Sequence, residues 1–206
     1  VVRNRDFRKE LDLIKEVQGM ATGRLTLGDD LAGLNAKVQA SNIQLTARYQ
    51  RVPYAIKIAG GRFYYGGNRL AFDNFNANIC NSAFLNPSII VDWTATPDLR
   101  ISSRSAKINL NELYSWLLSF GTFKKNLNHI SLLKGEAAAN DLAIKGPFFS
   151  PRDWHFQTRG TVKNLILTSE KLPKSLQIGR GNFTWQGTEF TFNKVNAAMG
   201  KSSIQE

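Results

Sequence analysis

The chain has 206 residues, 42% of them hydrophobic, and its 27 Lys and Arg against 16 acids give a net charge of +11. That length suits one elongated domain or two small ones with a sizeable core. Cys80 is the only cysteine, which excludes an internal disulfide and a Cys-based metal site and leaves a small half-buried residue as its plain reading.

Taken in chain order, the first predicted element is a helix over about Arg5 to Gln18. Phe7, Leu11, Ile14 and Val17 sit at helical spacing with charged residues opposite, and Gly19 is its expected stop. Period-two alternation follows, the mark of strands with one apolar face. It runs through Leu25 and Leu27, Ile43, Leu45 and Ala47, then Ile56 and Ile58, which flank Lys57. Asp29-Asp30 reads as a loop pair rather than a calcium site. Phe63 and Tyr65 lead through the turn Gly66-Gly67-Asn68 into Leu70 and Phe72, then Phe75, Ala77 and Ile79, and later Ile89, Val91 and Trp93. A second helix is predicted from Leu110 to Phe120, with Leu113, Trp116, Leu117 and Phe120 as its stripe. Asn109 or Asn111 is its cap and Gly121 its end. Gly121 to Asn128 reads as an irregular polar and basic connection. Alternation returns at Trp154 and Phe156, Leu165 and Leu167, Leu176 and Ile178, Phe183 and Trp185. After the turn Gln186-Gly187-Thr188 it continues through Phe190 and Phe192 to Val195, Ala197 and Met199. Short turns of this kind imply antiparallel hairpins.

Self-similarity organises these elements. Residues 53–84 align without a gap on residues 173–204, at a constant offset of 120, with nine of 32 pairs identical. Average composition would give about two. The identities include Gly61/Gly181, Phe63/Phe183, Gly67/Gly187, Phe72/Phe192 and Ser82/Ser202. Further back, Asn42 to Thr46 matches Asn164 to Thr168, and Gly23 to Leu27 matches Gly135 to Ala139. The reading is two diverged units, residues 1–108 and 109–206, each a helix followed by about six or seven strands. Gly61, Gly181, Gly67 and Gly187 are expected at bends or turns, where positive φ favours glycine. Alternation alone slightly favours an ordinary closed sandwich core. Two short helices, however, cannot cover so many one-faced strands, so the expected fold is mostly β, a repeated, curled antiparallel sheet forming an open groove. The residues expected to line it are Ile58, Phe63, Tyr65, Leu70, Phe72, Ile79, Val91, Trp93, Trp154, Phe156, Leu165, Leu167, Ile178, Phe183, Trp185, Phe190, Phe192 and Met199. Lys57, Arg62 and Arg69 are expected on the opposite side.

The run Trp154-His155-Phe156-Gln157-Thr158-Arg159-Gly160, the strand Asn164-Leu165-Ile166-Leu167, Leu172-Pro173, Gly181-Asn182-Phe183 and the close Gly200-Lys201-Ser202-Ser203 resemble the AsmA-like family of bacterial envelope proteins. The first unit carries a weaker form, with Asn81-Ser82 where the second has Lys201-Ser202. The resemblance implies a periplasmic β-groove that carries phospholipid acyl chains between membranes. It further implies neighbouring repeat units and the envelope membranes as partners, and an inner-membrane anchor outside this chain.

The chain starts at Val1, shows no signal peptide, and has no apolar run near the roughly 18–20 residues that span a bilayer. It is expected to be a soluble piece of a longer protein. The basic excess points to anionic partners, namely nucleic acid, lipid headgroups or an acidic protein, although the bases are scattered and a solvated basic surface fits as well. Nucleic-acid stacking is disfavoured, because a stacking platform needs bases and aromatics on one face. His129 and His155 are the only histidines, and His155, between Trp154 and Phe156, points away from the apolar side. No nucleophile elbow, phosphate loop or dinucleotide glycine motif occurs, so neither an enzyme nor a cofactor is expected. A scaffolding envelope module with a closed β core and no lipid cargo is the alternative function.

Overall fold

The computed structural model describes residue 9 and residues 12–30, 33–93, 96–119 and 121–205. Six strands come first: β1 (Ile14–Asp30), β2 (Gly33–Tyr49), β3 (Ala55–Gly66), β4 (Arg69–Ile79), β5 (Ser82–Asp92) and β6 (Asp98–Asn109). Helices α1 (Leu110–Leu118) and α2 (Gly121–Leu127) follow. Then come β7 (Ile130–Pro147), a short 3-10 turn at Pro151–Asp153, β8 (His155–Ser169), β9 (Leu176–Gly187), β10 (Glu189–Met199) and β11 (Ser202–Gln205). The eleven strands form one antiparallel sheet in sequence order. It curls but does not close. The closed-sandwich alternative is therefore not met.

β6 pairs with β7 from Asp98↔Pro147 to Asn109↔Glu136, so the sheet runs unbroken past the helices. The accessible surface is 13452 Å²; a compact monomer of 23.0 kDa would expose roughly 9,600 Å². Among the described residues no large side chain is fully shielded. Both facts express a sheet lacking a second layer.

The repeat is visible in backbone detail. Asn42 and Asn164 both adopt positive φ, 52° and 51°, at irregularities where β2 faces β1 and β8 faces β7. At the offset of 120, Asn74 (55°) matches Lys194 (49°), Cys80 (53°) matches Gly200 (65°), and Gly67 (58°) matches Gly187 (62°). Gly67 and Asn68 both take positive φ in the two-residue β3–β4 turn, the I′ form whose twist suits a hairpin. Gly61 lies at a bend within β3, at φ 91°. Gly181 departs from expectation, since it has no positive φ and sits inside β9. Lys194, the counterpart of Asn74, carries positive φ on the facing strand β10, and an added Cβ at Gly181 would meet Val195 Cγ2 at 3.4 Å, an ordinary contact.

Other expectations need correction. Of the first predicted helix, Phe7 and Leu11 lie outside the described residues, while Ile14 to Gln18 belong to β1. Glu16 is at φ 51°, and the β1–β2 register shifts between Lys15 and Gln18. This bulge places Ile14 and Val17 on one face at a spacing of three, which imitates a helical stripe. Gly19 is no helix stop; it lies in β1 against β2, where an added Cβ would fall 2.0 Å from the Gln44 carbonyl oxygen. Asp29 and Asp30 end β1 as paired strand residues. Gly121 to Leu127 is helical, not irregular. The Tyr114 hydroxyl donates to the carbonyls of Leu127 and Ile130, tying the helical pair to β7. Phe120 lies outside the described residues. α1 is capped by Asn109, whose side chain accepts from the backbone N–H of Asn111 at 3.1 Å and of Glu112 at 3.3 Å, a contribution of about 1 kcal/mol.

Candidate acyl-chain binding face

Directly paired residues of an antiparallel sheet share a face, so the register traces the lining. One row runs Leu45, Ile58, Ala77, Phe84, Ala106, Ala139, Gly160, Phe183, Phe192 across β2 to β10. A second runs Phe63, Phe72, Ile89, Ile101, Ile144, Phe156, and a third Tyr65, Leu70, Val91, Leu99. Two residues on one strand share a face only at even spacing, yet Phe72 and Phe75 stack at 3.9 Å between centroids. Asn74 at positive φ lies between them and shifts the alternation by one residue. Asn86 and Asp141 do the same in β5 and β7, and Lys194 in β10, so the apolar side chains stay on one side along the full strand length.

The expected lining residues fall on this face. Ile79 pairs with Ile56. Leu165 pairs with Ile178, and Leu167 with Leu176. Met199 also pairs with Leu176. Trp93 packs against Tyr65 with ring centroids 5.8 Å apart. Trp154 packs on the Val91–Leu99 cluster, and Phe156 stacks on Trp185 at 4.5 Å. Phe190 meets Phe183 at 5.7 Å and Phe192 at 4.9 Å.

The face is buried in the middle of the sheet and exposed towards its ends. Phe75 is 2% exposed, Val91 3% and Ala139 2%, whereas Leu25 and Leu27 on β1 are 61% and 59% exposed, and Phe190 and Phe192 on β10 are 47% and 36%. α1 covers part of one side, where Leu110 and Leu113 join Ala106, Ala137 and Val162. The lining residues that sequence reasoning left out are mostly small, such as Ala106, Ala139 and Gly160, or interior, such as Phe84, Leu99, Phe148 and Val162. Gly160 is the floor for an aromatic ring: an added Cβ would stand 2.8 Å from Phe183 Cζ and 2.0 Å from the Ala138 carbonyl oxygen. Small residues carry little hydrophobic signal, and only the register reveals them.

The opposite face is polar. Lys57, Arg62 and Arg69 are exposed there. Arg62 reaches its cross-strand partner Asp73 at 3.0 Å, and Arg69 and Arg100 both lie 3.9 Å from Asp92. Exposed pairs of this kind contribute about 0.2–1 kcal/mol each. His155 pairs across with Lys145 and is exposed. A depression of about 510 Å³ near Arg24, Gln39, Arg62 and Asp73 opens to solvent. Among the described residues no group of three His, Cys, Asp or Glu is placed to hold a metal ion, and no helix is long and apolar enough to cross a membrane.

The structure also exposes a buried carboxylate that sequence reasoning missed. Glu112, 6% exposed, accepts from the Asn81 backbone N–H at 3.0 Å, from Asn81 Nδ2 at 2.7 Å and from Ser82 Oγ at 2.7 Å. Burial alone would raise its pKa, but the donors from Ser82, Asn81 and Cys80 outweigh that and hold it below the usual value. Cys80 is exposed rather than half-buried, because it occupies the β4–β5 turn. Its hydrogen bond to Glu112, lost hydration and the carboxylate's charge push the thiol up, away from reactive thiolate. No family model, no curated protein and no solved structure matches this chain.

Proposed function

We propose that this chain is a segment of a groove that holds or conducts phospholipid acyl chains between the inner and outer membranes of a bacterial envelope, as the resemblance to AsmA-like proteins implies. The observation that supports it is the apolar strip from β1 to β10, buried in the middle and exposed towards both ends. Acyl chains need apolar surface without directional bonds, and each buried methylene contributes about 0.8 kcal/mol. A row of six methylenes along the strip would contribute about 5 kcal/mol. Arg69 and Arg100, on the polar side beside Asp92, are candidates to meet phosphate groups at the rim. In this reading the chain works in the periplasm, with an anchor supplied by another segment. Its partners are phospholipid, neighbouring repeat units and the envelope membranes. It performs no reaction and binds no nucleic acid.

Native mass spectrometry of the chain exported to the periplasm and purified without detergent tests this reading. Adducts at phospholipid masses, displaced by added phospholipid, are the expected result. A spectrum of bare protein over repeated preparations rejects it in favour of a scaffold without cargo.

A further inference from the structure

The two units differ at one built contact. In the first, the β4–β5 turn at Cys80, Asn81 and Ser82 grips the Glu112 carboxylate of α1 through three hydrogen bonds of 3.0 Å or less. Ser82 Oγ also accepts from the Asn109 N–H that opens the helix, at 3.0 Å. This turn fixes where α1 leaves the sheet. At the offset of 120 the second unit has the β10–β11 turn, Gly200, Lys201 and Ser202. The backbone is alike, with φ of 65° at Gly200 against 53° at Cys80. Yet Ser202 is exposed where Ser82 is buried, and no carboxylate among the described residues meets Lys201. The donor set is the same in kind: a backbone N–H, a long side-chain donor and a serine hydroxyl. Replacing the Asn81 amide by the Lys201 ammonium adds a full positive charge, which makes the hydrogen bond to a carboxylate charge-assisted on both sides.

We propose that the turn at Gly200, Lys201 and Ser202 is a carboxylate-binding site that docks a glutamate-bearing helix of a further unit of this kind. The occupant follows from continuity with the first unit: a strand pairing beyond β11, then a helix whose third residue is a glutamate, as Glu112 is in α1. A second copy of this chain is a poorer fit, because its own Glu112 is already held by Asn81 and Ser82. The proposal does not depend on what the apolar face carries.

The test extends the full chain. Residue 206 corresponds to residue 86 at the offset, so a second copy of residues 87–128 appended after Glu206 continues the repeat in register. Hydrogen exchange at the amides of Lys201, Ser202 and Ser203 is then compared with the parent, with Ile58 in β3 as a distant reference. The expected result is slowing of about tenfold or more, the size of one charged hydrogen bond. Glu112→Gln in the appended copy alone should lose that slowing, as should Lys201→Met. Lys201→Asn should keep it, since it recreates the first unit's donor. Exchange that is unchanged by the extension, an appended segment that stays unprotected, or equal slowing with Glu and Gln each overturns the proposal.

Discussion

At the scale of single residues, Glu112 joins stability to pH. Its carboxyl is held below the usual value by donors that require the ionised form. A group with a depressed folded pKa contributes stability above its unfolded pKa and loses it as pH falls through the folded one. The unfolded value is about 4.3, so this contribution is full near neutral pH and fades progressively below about pH 4. Glu112→Gln should remove the acid-side slope and cost about 1–3 kcal/mol at pH 7. Urea unfolding of both proteins across pH 3 to 7 checks this. Curves that stay parallel over the whole range would assign the slope to other carboxylates. None of this was legible in the sequence, where Glu112 is one acid in a helix and its partners lie about thirty residues away.

At the scale of elements, the strands and their apolar residues were legible because alternation survives within each half-strand. The phase slips between halves were less so. Asn74, Asn86, Asp141 and Lys194 look like ordinary polar residues in the sequence, and only φ values of 49° to 55° show that each turns its strand over. The same effect hid β1: a bulge at Glu16 gave Ile14 and Val17 helical spacing. Asparagine tolerates the left-handed region because its side chain bonds locally, whereas a β-branched residue does not. Asn74→Val should therefore destabilise the chain by about 1–2 kcal/mol, even though the site is exposed. Asn74→Gly should be close to neutral. Equal urea midpoints for the Val and Gly variants would remove the slip as the cause.

At the scale of the whole molecule, the repeat and the open sheet were legible, while the exposure gradient along the apolar face came only with the structure. That gradient decides where charge can be placed without unfolding the protein. Phe72 stacks on Phe75, so a charge there would damage the sheet itself. Leu25 and Phe192 lie on the same face, yet are 61% and 36% exposed. Leu25→Asp with Phe192→Asp should thus leave folding nearly intact. An acyl chain crossing either position would have to desolvate a carboxylate, protonate it or avoid it, each at a cost of several kcal/mol. A few methylenes at about 0.8 kcal/mol each cannot offset that. The expected outcome is loss of most co-purifying or photo-crosslinked lipid with unchanged circular dichroism. Arg62→Ser, on the opposite face, removes an exposed pair with Asp73 worth at most about 1 kcal/mol and should retain lipid at the parent level. If the double Asp variant is folded and carries as much lipid as the parent, acyl chains do not run along this strip.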